Sequence, residues 1–125
     1  YAQLERLWMG ELERRCAACV TYYECPYSLK ERPNCSNLVA EHSLGPWQIN
    51  FLIGKLYYID GRPWNDGDPT TVISEADAMD VVKSSEWSHN RYTFKMRLGQ
   101  WGWTDWSTAK DPDLCRDICK LSGNP

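Results

Sequence analysis

Apolar side chains recur at steps of three and four over residues 3–24, at Leu4, Leu7, Trp8, Leu12, Cys16, Cys19, Val20 and Tyr23. Glu5, Arg6, Glu11, Glu13, Arg14 and Arg15 fill the positions between them. This spacing predicts one long amphipathic helix with a solvated charged face, stopped by Pro26. A second helix is predicted from Thr70 or Ser74 to about Ser84. Ser74 with Asp77 supplies its start signal, and Val72, Ile73, Ala76, Met79 and Val82 form its apolar set. Asp111-Pro112-Asp113 opens a last helix that carries Cys115 and Cys119 one turn apart on one face.

Between these helices the pattern is weaker. Residues 25–44 contain Pro26, Pro33, Asn34, Ser36 and Asn37 and read as an irregular loop with room for a short hairpin. Residues 46–59 are apolar and aromatic, and their periodicity suits a strand or a buried helix equally. Residues 60–63 and 65–69 read as turns, 90–99 stay open between helix and loop, and 101–106 read as a Trp-rich turn or short helix. The expected fold is mainly α, with a long N-terminal helix, a small irregular or hairpin lobe and a disulfide-stapled C-terminal helix, in one domain over residues 1–125.

Composition adds a compartment and an excess of aromatics. The chain has 125 residues, 42% hydrophobic and 25% charged, enough for a core of its own. Seven Trp and seven Tyr stand against two Phe. Flat apolar rings with one polar handle suit either a core or the lining of a polar-ligand groove. The six cysteines, Cys16, Cys19, Cys25, Cys35, Cys115 and Cys119, point to a disulfide framework and a secreted protein. Fifteen connectivities are open to them. The competing reading is a four-thiolate zinc site at Cys16, Cys19, Cys115 and Cys119, which leaves Cys25 and Cys35 unexplained. The expectation is therefore no metal and no cofactor. Asn34-Cys35-Ser36 also matches a short N-glycosylation sequon.

With no signal peptide visible, Tyr1 is expected to begin a mature chain. No apolar run approaches the ~20 residues that cross a bilayer, so membrane insertion is not expected. The net charge of −3 argues against nucleic acid as a partner.

The two helical cysteine pairs suggest a specific staple. Antiparallel first and last helices can join through Cys16–Cys119 and Cys19–Cys115, with Cys25–Cys35 closing the local loop.

Candidate chemistry centres on Glu24, the last residue of the first predicted helix, and on Ser43-Leu44-Gly45-Pro46-Trp47-Gln48-Ile49-Asn50 about twenty residues later. Asp68-Pro69, Glu75-Ala76-Asp77-Ala78 and Trp103-Thr104-Asp105-Trp106-Ser107 follow. In order and spacing, residues 16–108 resemble the lysozyme-like superfamily of lysozymes and lytic transglycosylases. The resemblance implies that Glu24 is a catalytic acid and that the segment from Gly45 to Asn50 lies across a cleft from it. Two positions depart from the usual pattern. Cys25-Pro26 stands where relatives commonly carry Ser-Gly, whose Ser often supports the acid, and Val72 stands where many carry Asn.

The chemistry fits the residue. Glycoside cleavage needs a carboxylic acid still protonated near neutral pH. A helix C-terminus disfavours the carboxylate, and Tyr22, Tyr23 and Trp47 are expected to desolvate it; both effects favour the neutral acid. Glu41 is the candidate second carboxylate, with a plain surface residue as its alternative. Gly45, Trp47, Gln48, Tyr58, Trp64 and Trp103 are the candidate sugar-binding residues, Gln48 bracing the cleft through its amide. His42 and His89 read as surface residues. The resemblance implies a glycosidase acting on β-1,4-linked N-acetylhexosamine polymers such as peptidoglycan. The rival expectation is a lysozyme-like protein without catalysis that binds a glycan or a protein partner.

Overall fold

The computed structural model describes Trp8 and residues 10–25, 43–50 and 73–125. Among these residues the protein is mainly helical. Helix α1 spans Glu11–Glu24, strands β1 and β2 are Ser43–Leu44 and Ile49–Asn50, and α2 to α5 span Glu75–Met79, Val81–Arg97, Ser107–Lys110 and Arg116–Cys119.

Helix α1 starts later than the periodicity predicts. Gly10 is extended, with φ −78° and ψ 141°, so the helix does not run through it. Glycine in a helix interior costs about 1 kcal/mol relative to alanine, whereas just before the first turn it costs little. Glu11 and Glu13 then occupy the first turn, where carboxylates suit the helix dipole. Cys16, Ala17 and Val20 are buried, while Leu12, Tyr22 and Tyr23 are exposed, so the apolar face is narrower than its spacing suggests.

The second predicted helix is two. Ser74 caps α2 by accepting from the Asp77 amide at 3.1 Å. Asp80 then ends α2 in extended backbone and caps α3 by accepting from the Lys83 amide at 2.9 Å. Helix α3 continues to Arg97, far beyond Ser84 and through most of the stretch left open. Its buried face explains why periodicity missed it: Ser84, Ser85, Ser88 and Arg91 lie there beside Trp87 and Tyr92. Serine is tolerated because its hydroxyl finds local partners. Ser84 Oγ donates to the Asp80 carbonyl at 2.6 Å, and Ser88 Oγ to the Ser84 carbonyl at 2.9 Å. Arg91 is fully buried and paired with Asp105, with Nε and Nη2 each 2.8 Å from Oδ2. Lys95 Nζ approaches Oδ1 at 3.6 Å. This pair anchors the Trp-rich turn to α3.

The expected long bridges form. Cys16–Cys119 and Cys19–Cys115 join α1 to the last helical turn with Cα separations of 4.8 and 5.9 Å. The crossed order makes the two segments antiparallel. A loop of about 100 residues is worth up to ~4.7 kcal/mol in the chain-entropy account. With these four sulfurs in disulfides, the four-thiolate zinc reading is excluded. Cys25 is disulfide-bonded as well; its expected partner, Cys35, lies outside the described residues.

The core is built from the surplus tryptophans. Trp8 stacks on Trp103 at 5.0 Å and on Trp47 at 5.6 Å between centroids. Tyr92 and Trp106 pack around Trp103 at 4.8 and 5.8 Å. The tail locks the Trp-rich turn from outside: Trp103 Nε1 donates to Ser122 Oγ at 2.9 Å, and the Gly102 amide to the Gly123 carbonyl at 2.7 Å.

Candidate active site

Glu24 is the last residue of α1 and is half-buried. Its Oε1 accepts a 2.5 Å hydrogen bond from Thr108 Oγ1. Thr108 is buried in α4, directly after Trp106 and Ser107. The helix end is thereby tied to the segment leaving the Trp-rich turn. From Trp106 the contact continues to Trp47, whose ring lies 5.5 Å away at an interplanar angle of 60°.

Trp47 belongs to the turn of a short hairpin in which Leu44 pairs with Ile49 and Ser43 with Asn50. The turn needs left-handed backbone at Gly45, φ 78°, and at Gln48, φ 49°. Glycine suits the first position twice over, because a Cβ there would lie 1.9 Å from the Ala78 carbonyl oxygen. The hairpin thus rests directly on α2. The Gln48 amide and side-chain nitrogen both donate to the Gly45 carbonyl, at 3.0 and 2.9 Å.

The expected acid, the hairpin and the Trp-rich turn therefore meet through one chain of contacts: Glu24, Thr108, Trp106, Trp47. Several expected roles within it change. Trp47 is 2% exposed and Trp103 fully buried, so both are core side chains with no face open to a sugar. Trp47 Nε1 points inward and donates to Ser85 Oγ at 2.9 Å. Gln48 braces its own turn. Tyr22 is 63% and Tyr23 42% exposed, and they pair edge to face at 5.0 Å, so these rings do not bury the carboxyl. They are instead solvent-facing aromatics on the two residues before it. Glu41, Tyr58 and Trp64, with His42, lie outside the described residues.

Thr108 is the site residue that sequence reasoning missed. It follows the Trp103–Ser107 motif directly and carries no signal of its own in the sequence. Its hydroxyl reaches Glu24 from 84 positions away. His89 differs from its surface expectation too. It is half-buried, edge-on to Trp8 at 4.9 Å, and burial holds its pKa below the ordinary value while the Glu13 charge opposes this. Burial, then Glu13, pushes the Tyr92 phenol up to about 12.

Among the described residues no group of three or more His, Cys, Asp or Glu side chains is arranged to hold a metal ion, and no helix is long and apolar enough to cross a membrane. Comparison with protein-family models, curated proteins and solved structures finds no match to this chain.

Proposed function

We propose that this protein is a secreted, lysozyme-like, glycoside-cleaving domain that acts on β-1,4-linked N-acetylhexosamine polymers such as peptidoglycan, with Glu24 as general acid. The observation that carries the reading is the Thr108 hydrogen bond to Glu24 Oε1, which orients a half-buried carboxyl beside the turn that packs on the Gly45–Gln48 hairpin. Orientation of a proton donor is what acid catalysis requires of the protein. Glu24 passes its proton to the glycosidic oxygen as the bond to the anomeric carbon breaks. Water, or a hydroxyl of the sugar itself, adds to that carbon, and its proton restores the carboxyl. The first outcome is hydrolysis and the second transglycosylation. The two long disulfides support an oxidising, extracellular setting.

A second reading, a lysozyme-like binding or structural protein without catalysis, is favoured by the burial of Trp47 and Trp103, which removes two expected sugar platforms. Peptidoglycan and chitooligosaccharides incubated with the natural chain and with Glu24→Gln separate the two. Fragments released by the natural chain alone support the glycosidase. Sugar binding by both chains without release supports the second reading.

A further inference from the structure

On the face formed by the C-terminal segment, three cations and one indole line the same cleft. Trp101, Lys110, Arg116, Lys120 and Asn124 line a cleft of about 260 Å³. Trp101 is half-buried and held in place by its Nε1, which donates to the Ser122 carbonyl at 2.8 Å. Lys110 ends α4 and Arg116 begins α5, with Lys120 one turn further on. Lys110 and Arg116 make no ion pair with any described residue. Lys120 Nζ lies 3.4 Å from Asp117 Oδ1, an exposed contact that water weakens.

Arg116 and Lys120 are like charges at a spacing where they repel, in a chain whose net charge is −3. Among the described residues lining the cleft there is no carboxylate. An anion relieves the repulsion, and the half-buried Trp101 indole lining the same cleft suits an anion carried on a flat C–H surface. We propose that this cleft binds a carboxylate-bearing pyranose, its ring on the Trp101 indole and its carboxylate on Arg116, Lys110 and Lys120. A guanidinium takes a carboxylate in two parallel hydrogen bonds, and the lysines add charge without fixed direction. The volume falls below the ~300–1,000 Å³ of common small-molecule sites, so the cleft holds a single sugar residue. The proposal deepens the glycosidase reading and rests on it only for the choice of a sugar; the cleft uses none of the Glu24 contacts.

The test is titration of the natural chain, followed by tryptophan fluorescence and amide NMR shifts, with N-acetylmuramic acid, a hexuronate disaccharide, N-acetylglucosamine and inorganic phosphate. Both acidic sugars bind, more weakly as salt rises. N-acetylglucosamine binds at least tenfold more weakly, and shifts map to Trp101 and Arg116. A preference between the two acidic sugars identifies the source of the carboxylate. Lys110→Gln/Arg116→Gln weakens acidic-sugar binding about tenfold. Equal binding of neutral and acidic sugars, phosphate binding as tight as that of either acid, no acidic-sugar binding, or an unaffected double variant each overturns the proposal. Loss of glycan cleavage bears on Glu24 alone, so the two readings fail separately.

Discussion

Thr108 Oγ1 donates to Glu24 Oε1 at 2.5 Å across 84 positions of chain. With Thr108 buried, this hydroxyl fixes the direction of the carboxyl, and on the glycosidase reading it is a positioning group. Cys25, the residue that follows Glu24, is locked in a disulfide.

Replacing Thr108 therefore separates orientation from binding. Misplacing a catalytic group by about an ångström costs on the order of 10²-fold. On the glycosidase reading proposed above, Thr108→Val is expected to lower kcat by about 10- to 10²-fold with KM little changed, and Thr108→Ser to recover most of the loss. A Thr108→Val chain with natural kcat would remove the positioning role. The hydrogen bond is also a stability contact. An intramolecular hydrogen bond contributes about 0.5–1.5 kcal/mol net, so urea titration of Thr108→Val should show a drop of that order for this half-buried pair.

The legible and illegible parts of the fold divide on one physical ground. Cys16, Cys19 and Val20 announced α1, and the paired helical cysteines announced both long bridges, because covalent and apolar patterns repeat with the helix. Helix α3 was hidden because Ser84, Ser85, Ser88 and Arg91 do the burying, and hydropathy reads such residues as surface. The boundary at Asp80 was hidden because one aspartate ends α2 and caps α3. At the site, Glu24 was legible as a helix-terminal acid. Thr108 was not, since only the tertiary fold brings α4 against the end of α1. Trp47 and Trp103 were seen as aromatics, but sequence does not say which face of a ring meets water.

Two stacked tryptophans make contrasting variants. Trp47 Nε1 is paired with Ser85 Oγ at 2.9 Å, whereas Trp8 Nε1 is buried with no hydrogen-bond partner among the described residues. Trp47→Phe loses ring area and orphans the Ser85 hydroxyl, at a combined cost of about 2–4 kcal/mol. Trp8→Phe loses comparable area but also removes an unpaired N–H, so its cost should be smaller by about 1 kcal/mol or more. Paired urea denaturation curves check the order; equal losses would count against the Ser85 bond.

Gly45 carries the placement of the hairpin. Alanine there meets both a left-handed φ of 78° and a Cβ position 1.9 Å from the Ala78 carbonyl oxygen. Left-handed backbone costs about 1–2 kcal/mol for a non-glycine residue, and relieving the clash requires the hairpin to lift from α2. Gly45→Ala is expected to destabilise by about 3 kcal/mol or more and to shift the indole resonance of Trp47, whereas Gly99→Ala, with open space around its Cβ, should cost only the φ strain. Similar melting temperatures for the two variants would show that the contact with Ala78 is not limiting.

The pH dependence of stability follows from His89 and Tyr92. His89 titrates below its ordinary value because burial penalises the imidazolium more than Glu13 favours it. The unfolded ring binds its proton near pH ~6.5. Its contribution is therefore complete above that pH and is lost as pH falls toward the folded value. Tyr92 acts at the other end. Burial, with the Glu13 charge second, pushes its phenol up to about 12, while the unfolded phenol ionises near ~10. Its contribution is complete below pH ~10 and disappears between there and about pH 12. At ~1.4 kcal/mol per pKa unit, about half of this contribution, roughly 1.4 kcal/mol, is lost by pH 11. Urea unfolding from pH 5 to pH 11 should show a plateau with two shoulders. His89→Gln should flatten the acid shoulder and Tyr92→Phe the alkaline one. An alkaline decline of natural size in Tyr92→Phe would assign the loss to other groups and free Tyr92 from this role.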